Sequence, residues 1–555
     1  MKTTGAGLIT RLLERQGVTT VAGIPGGANL PLYDALRTSG IRHVLARHEQ
    51  GAGFIAQGMA RASGRAAACL ASSGPGATNL VTALADAHMD SIPLVAITGQ
   101  VPRALLGTNA FQEIDTPGLA EPITKHVRQV RSAAELVEAV PEAFRLATSG
   151  RRGPVVLDVP KDVQLESIDV GPLPAPATSD PPPIASEDAM SRALALLEAA
   201  ERPTMLVGAG VVAAGASDLV RMLAERATVP VAATLHGLGV LPPDHPLWLG
   251  MVGMHAARCT NMVLDECDLL LGLGVRFDDR ATGKLSEFAP HAHIVHVDID
   301  ARELGKLVRP TVGIRADVGA VLAELTTRVR PAPRPAWRAR LSELRTRHPL
   351  ATPGADDPRA VYGLIRAVGG LLEPDDLVAT DVGQHQMWVA QAYPLSRPRR
   401  WLTSGGLGTM GFGVPAAIGA ALACPERRVV CFTGDGSVLM NLQELGTAAE
   451  EGVSVTVVVL DNGHLGLVRQ QQELFYGGRF HASRFRREPD FVAIARGFGV
   501  SAWDMGASDD PIGTLARALG TPGPSLVRVP VLHEEKVWPM VPPGAANREM
   551  LEAAP

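Results

Sequence analysis

Short apolar runs, each closed by a turn and followed by a longer amphipathic run, recur from one end of this chain to the other. HVLAR (43–47), AAACLA (66–71) and PLVAIT (93–98) are followed by TMLVGAG (204–210), VPVAAT (229–234), DLLLGLG (268–274) and IVHVDID (294–300), then RRVVCFTG (427–434) and VTVVVL (455–460). Runs this short, rich in Val, Leu and Ala, read as buried parallel strands, and the amphipathic runs between them as crossover helices. Right-handed crossovers bring loops from neighbouring strand ends together at one sheet edge, where ligands bind in such folds.

Two proline-dense stretches interrupt the alternation, Glu166 to Glu187 and Arg328 to Trp337. Proline at that density continues neither helix nor sheet and favours extended spacers. A chain of 555 residues exceeds what one core sustains, so three domains are expected. The expected fold class is α/β, with three doubly wound parallel-sheet domains at 1–165, 186–327 and 355–540 and a tail at 541–555.

A formal net charge of -5 leaves no basic excess to neutralise a phosphate backbone, which argues against nucleic acid. The cysteines, Cys69, Cys259, Cys267, Cys424 and Cys431, form no CxxC pair and fit buried free thiols in a reducing compartment. No apolar run approaches the ~20 residues of a membrane span. The start of the chain has neither a signal-peptide core nor a transit pattern, so a cytoplasmic protein is expected.

The most informative segment is 428–472. Its first strand ends in Gly434-Asp435-Gly436-Ser437, a helix with Leu439, Leu442 and Leu445 on one face follows, and a second strand ends in Asp461-Asn462-Gly463. A βαβ unit makes the two strands parallel, so Asp435 and Asn462 emerge at one edge. Two oxygen-bearing side chains there suit Mg2+, a hard cation that also takes ligand phosphates. Gly434 and Gly436 let the backbone approach a phosphate, and a helix N-terminus would face it. Alone, however, GDGS is equally a simple strand-to-helix turn. Glu49, between HVLA and a helix, and the loop from Ser72 to Asn79 have bland readings too: a dipole partner and a glycine-rich turn.

Taken together, GDG, helix, strand and an Asn 27 residues after the Asp resemble the thiamine-diphosphate fingerprint. AFQEID (110–115), PITKH (122–126), GVRFDDRATG (274–283), VHVDID (295–300), GQHQMW (383–388) and VWPMVPPGA (537–545) resemble the acetohydroxyacid synthase (acetolactate synthase) large subunits in particular. The resemblance implies a metal held by Asp435, Asn462 and the backbone carbonyl of His464. It implies a thiamine-diphosphate pocket of Gly26, Gly74, Asn79, Gly383, Gln384, His385, Gly408, Met410, Gly434, Asp435, Gly436, Ser437, Asn462, His464, Leu465 and Gly466. In that family Glu49 hydrogen-bonds a ring nitrogen of the aminopyrimidine and Met410 wedges beneath the bent cofactor. Gln112 lies near the thiazolium, Lys125 lines the approach channel, and Arg276 receives the second substrate's carboxylate.

The resemblance further implies FAD without a redox step, held by Arg151, Gly208, Gly210, Thr234, Leu235, His255, Gly274, Arg276, Asp298 and Asp317. It implies a homodimer at minimum, with a tetramer also open, because the first domain of one subunit meets the last domain of another at the cofactor. A small regulatory subunit is the further partner by analogy. The implied reaction decarboxylates pyruvate and joins the hydroxyethyl group to pyruvate or 2-ketobutyrate. The products are 2-acetolactate or 2-aceto-2-hydroxybutyrate, on the route to branched-chain amino acids.

Two departures stand out. The family's TLMGLG reads Thr234-Leu235-His236-Gly237-Leu238-Gly239 here, and Gln471 stands where many members carry a Trp that favours 2-ketobutyrate. Weak discrimination between the two acceptors is therefore expected; one methylene in an apolar pocket is worth only about 1–3 kcal/mol in any case. The competing readings are a pyruvate oxidase, a sulfoacetaldehyde acetyltransferase, a nicotinamide dehydrogenase built on the middle domain, and a non-catalytic scaffold. Phe111-Gln112, Lys125 and RFDDR argue against the first two, the lack of a full GxGxxG against the third, and intact Glu49, Asp435 and Asn462 against the last.

Overall fold

The computed structural model describes residues 2–552. Three six-stranded sheets follow one another along the chain, every strand pair within them parallel. The first orders its strands Arg42–Leu45, Thr20–Gly23, Ala67–Ala71, Leu94–Gln100, Pro154–Pro160 and His126–Gln129. The third repeats that topology with Trp401–Leu402, Leu377–Thr380, Val429–Gly434, Val455–Asp461, Ser525–Pro530 and Ser501–Asp504. The central sheet runs Trp248–Met251, Val231–Ala233, Pro203–Val207, Leu269–Leu273, His293–Asp298 and Val312–Arg315, the order of dinucleotide-binding doubly wound domains. The inner strands of each sheet are buried along nearly their whole length, as sheets covered by helices on both faces require.

The domain edges differ from those drawn from proline density. Ser167–Asp169 is a strand paired antiparallel with Lys2–Thr4, so the first spacer begins after it, and residues 170–186 carry no helix or strand. Pro335 opens the helix Pro335–Arg347 rather than prolonging a spacer. At the first turn of a helix its missing N–H costs nothing. That helix packs Trp337, Leu341 and Leu344 on the central core, and the Trp337 indole donates to Pro203 O at 3.0 Å. Nor does the C-terminal segment hang free: Val541 N donates to Met254 O, Lys284 N to Ala545 O, and Asn547 Nδ2 to Ala281 O at 2.9 Å. The single helix expected after Gly434 is two, Asp435–Val438 and Glu444–Glu451, parted by a turn that Asn441 ties to Gly411 O at 2.8 Å.

The first and third domains share one hydrophobic core within the chain. Its centre is the crossing of Glu49–Ser63 with Gly413–Ala423. A Cβ on Gly58 would lie 2.0 Å from Ala416 O, and one on Gly419 1.9 Å from Ile55 O. The backbones touch because neither glycine carries a side chain, and Phe54 meets Phe412 edge-to-face beside them at 5.4 Å. Gly58→Ala tests the crossing by its sign. In a free helix the change would stabilise by up to about 1 kcal/mol. Here it should destabilise by about 1–3 kcal/mol through overpacking, read as a lower midpoint in thermal unfolding. An unchanged or raised midpoint would disprove the contact.

Candidate functional site

Val429–Gly434 and Val455–Asp461 are adjacent and parallel, with Gly434 opposite Leu460. Asp435 and Asn462 therefore leave the sheet side by side, as the βαβ argument requires. The His464 N–H points at both, 3.1 Å from Asp435 Oδ2 and 3.0 Å from Asn462 Oδ1. Among the described residues the His464 carbonyl accepts no bond from the neighbouring backbone. Burial pushes the Asp435 carboxyl up to about 7, and Asp461 pushes the same way. A buried carboxylate with a neutral amide oxygen beside it lacks a cation, and Mg2+ would supply one through oxygen ligands. Among the described residues no group of three His, Cys, Asp or Glu side chains could hold a metal. Magnesium held by one carboxylate, one amide and a phosphate needs no such group.

The surroundings are built closely. Asn462 Nδ2 donates to Gln384 Oε1 at 3.2 Å, Gln384 Nε2 donates to Glu535 O at 2.8 Å, and Ser437 Oγ donates to Val382 O at 2.6 Å. A Cβ on Gly466 would fall 1.9 Å from Gln384 Oε1, and one on Gly436 2.5 Å from Leu465 Cδ2. His385 is buried beside Gly383 and Gly434, its Nε2 has no partner, and burial lowers its pKa to about 3. A neutral imidazole with an orphaned nitrogen in a glycine-walled pocket fits an anionic or polar ligand group there. The helix from Asp435 has only four residues, so its dipole is small and the cradle rests on these individual donors.

The acid sits at the matching edge of the first sheet. Glu49 opens its helix after His48, whose Nδ1 accepts Gln50 N at 3.1 Å. Asn79 Nδ2 donates to Glu49 Oε2 at 2.9 Å. Gly74 takes a φ of +57°, and a Cβ there would strike the Gln112 backbone at 2.9 Å; one on Gly26 would strike Ser72 Oγ at 2.5 Å. Ser72 Oγ is buried without a partner. Gly76 links these pairs, since a Cβ there would lie 3.3 Å from Ser72 Cβ and 3.4 Å from Glu49 Oε1, so Glu49, Gly26, Gly74, Asn79 and Gln112 lie in one neighbourhood. Among the described residues no hydrogen bond or ion pair joins Glu49 to Asp435 or Asn462. The two halves touch instead through Glu444, which accepts Arg47 N and His48 N at 3.0 Å each.

The remaining expected residues divide. The loop of Gly408 and Met410 is held by Asp381, which accepts Gly411 N at 2.7 Å and Thr433 Oγ1 at 3.2 Å. Arg276 reaches this loop from the central domain: Nη1 donates to Met89 O at 3.0 Å, and a Cβ on Gly406 would lie 3.2 Å from Nη2. Lys125 turns its ammonium onto the last carbonyls of Leu136–Thr148 and Ser149 O, and burial lowers it to about 8. No hydrogen bond joins it to Gln112 or Glu49. Gln471 is exposed, while its neighbour Gln470 is buried against Val537.

In the central domain Gly208, Gly274, Thr234 and Asp298 stand at strand C-termini, with Gly210, Leu235 and Asp317 just beyond. Gly208 and Gly210 press on Gly274, 2.4 and 2.6 Å from a built Cβ, so these glycines first serve backbone contact with each other. The crevice between Pro203–Val207 and Leu269–Leu273 is the topological switch point, where a dinucleotide fits. Arg151 bridges to Glu303 at 2.6 Å, and burial lifts the Asp298 carboxyl to about 6. His255 Nδ1 pairs with Pro539 O at 2.9 Å. Sequence reasoning passed over Asp381, Glu444, Arg61, Asp86 and Asp90; carboxylates within the apolar stretch TALADAHMD were the available signal.

Comparison with known proteins agrees with this geometry. Three thiamine pyrophosphate enzyme models match in order: the N-terminal TPP binding domain over 3–119, the central domain over 190–325 and the C-terminal TPP binding domain over 381–529. The chain is 54% identical over 549 residues to the acetolactate synthase isozyme 1 large subunit of Escherichia coli, covering 99% of this chain and 97% of that one. It is 45% identical over 550 residues to the isozyme 2 large subunit of the same organism, covering 99% of each. It is 44% identical over 557 residues to a probable acetolactate synthase large subunit of Methanocaldococcus jannaschii, covering 97% and 94%.

Asp381 yields a pH prediction. Burial raises its carboxyl to about 6 in the fold, against about 4 in an unfolded chain. The fold therefore favours the protonated form. That stabilisation is complete below about pH 4 and is lost as pH rises through 6. Asp381→Asn lacks this dependence. Its stability relative to the parent should improve by roughly 2–3 kcal/mol between pH 4 and 7, at about 1.4 kcal/mol per pH unit. Parallel pH profiles of the two unfolding midpoints would contradict it.

Proposed function

Because this chain belongs to the thiamine pyrophosphate enzymes, and within them to the acetolactate synthase large subunits, we propose that it decarboxylates pyruvate and joins the two-carbon unit to a second 2-keto acid. Pyruvate as acceptor gives 2-acetolactate and 2-ketobutyrate gives 2-aceto-2-hydroxybutyrate, the entry to branched-chain amino acids. The observation that carries this reading is the pair Asp435 and Asn462, converging on one His464 N–H at adjacent strand ends.

Thiamine diphosphate supplies a carbon nucleophile for keto acids. The chain's own part is holding, orienting and proton management. Asp435, Asn462 and the His464 carbonyl would hold Mg2+. Gly434, Gly436, Ser437, Gly383, Gln384, His385, Leu465 and Gly466 would line the diphosphate, and Gly408 and Met410 would pack against the rings. Glu49, oriented by Asn79 and flanked by Gly26, Gly74 and Gln112, would hydrogen-bond a ring nitrogen of the aminopyrimidine and manage the proton there. Arg276 would pair with the acceptor's carboxylate through its two-pronged guanidinium, and Lys125 would edge the approach.

By the family resemblance each complete site would take its acid from a second copy, making a homodimer the least assembly. FAD is proposed at the central switch point, on Gly208, Gly210, Gly274, Thr234, Leu235, Asp298, Asp317 and Arg151. The relatives' designation as large subunits supports a small partner subunit.

Glu49→Gln should cut carbon dioxide release from pyruvate by at least about 100-fold, with the unfolding midpoint kept. Turnover at parental rate would refute the acid's role. Gln471→Trp should raise the fraction of acetohydroxybutyrate when both acceptors compete, measured by mass spectrometry of products. The parent should show little preference, and a strong parental excess of that product would refute the role given to Gln471.

A further inference from the structure

One junction of charged groups lies outside the roles just assigned. Asp90, whose side chain is fully buried, receives donors from all three domains. Arg61 Nη2, from the helix that Glu49 begins, is 2.8 Å from Oδ2. Gly405 N and Gly406 N, from the loop that leads to Met410, donate at 3.1 and 2.7 Å. His236 Nε2, from the central domain, lies 3.0 Å from Oδ1. One helical turn earlier Asp86 takes Thr409 Oγ1 at 2.9 Å, the Ser404 hydroxyl and Arg61 at 3.3 Å. Arg61 stacks over Phe412 at 4.9 Å and gives Nη1 to Thr403 O at 2.9 Å. The carbonyl of Met89, next to Asp90, is the one that holds Arg276.

We propose that Asp90 is the positioning residue of this site, fixing the loop Ser404–Thr409, and with it Met410, against the Glu49 helix, with His236 as the arm that ties in the central domain. The inference rests on the reading that Met410 packs against thiamine diphosphate. A carboxylate is needed because three donors, from Arg61, Gly405 and Gly406, converge on it with His236 Nε2 3.0 Å from Oδ1. An amide would accept at one atom only and would turn N–H groups toward the others, leaving buried donors unmet. Although burial works against the charge, His236 and Arg61 keep the Asp90 carboxyl well below the usual range, while burial and Asp90 itself push Asp86 upward. His236 stands where the family pattern TLMGLG carries Met. A Cβ on Gly405 would lie 2.4 Å from His236 Nε2, so the ring and the loop are packed directly.

The test is Asp90→Asn, His236→Met and His236→Gln in the full-length protein, with Met410→Ala in parallel. Affinity for thiamine diphosphate with Mg2+ is measured by quenching of tryptophan fluorescence, alongside kcat and KM for pyruvate. Asp90→Asn should weaken cofactor affinity at least tenfold and lower kcat of the saturated enzyme at least tenfold, with KM moved less than threefold. His236→Met should shift affinity and kcat in the same direction by a smaller factor, and His236→Gln, which keeps a donor, should recover most of it. If Asp90→Asn does not fold, the His236 pair decides, its side chain being 17% exposed where that of Asp90 is fully buried. Folded variants with parental affinity and kcat overturn the proposal, as does a lowered unfolding midpoint with both constants unchanged. Met410→Ala without effect on either constant overturns instead the reading of the loop.

Discussion

Two helix backbones in contact set the geometry of everything else. Glu49–Ser63 and Gly413–Ala423 meet where Gly58 and Gly419 leave no side chain between them. That approach fuses the cores of the first and third domains, so the strand edges of their sheets are held in a fixed relation. Both helices also carry chemistry at their N-terminal ends: Glu49 is the first residue of one, and the other follows the loop of Gly408 and Met410. A crossing this close transmits any shift of one helix to the other, because close-packed interiors deform little.

Around this joint the chain buries more charge than its cores can solvate, and the ways it settles that charge differ by place. Asp90 keeps its charge because cationic partners are built in. Asp381 is surrounded by neutral donors and is pushed toward its protonated form. Asp435 is also raised by burial; it takes the Gly436 and His464 N–H groups at 2.8 and 3.1 Å, and the Asn462 amide oxygen shares the His464 donor beside it. The first arrangement keeps a charge between built-in cations, the second is a neutral hydrogen-bond hub, and the third sets a carboxylate beside an amide oxygen, the kind of oxygen donor a hard divalent cation takes.

Local pattern made much of this legible. Each apolar run singled out from the sequence is a strand, and the βαβ argument placed Asp435 beside Asn462 because parallel neighbours have no other way to end. Edges were less legible. Proline density marked 328–337 as a spacer, yet Pro335 is a helix start, since the residue type suits both and only the packing of Trp337 decides. The helix after Gly434 was drawn whole because Leu439, Leu442 and Leu445 keep helical spacing; Asn441 breaks it by bonding Gly411, a contact made across the fold. Of the Asp86–Asp90–Arg61–His236 junction, only the two carboxylates in the apolar stretch TALADAHMD were legible. Its members come from two domains, and nothing in the spacing of 61, 86, 90 and 236 brings them together.

The placement of Glu49 follows from the same joint. The body of its helix is committed to its own chain through the glycine crossing, and its flanking backbone N–H groups at Arg47 and His48 are spent on Glu444. What remains is the carboxylate, held by Asn79 on its own sheet edge and joined by no bond to the Asp435 edge. A helix pinned along its length cannot swing its first residue across to another domain's strand ends without breaking the contact that unites the cores. The same glycine crossing that unites the two cores therefore also fixes where Glu49 stands.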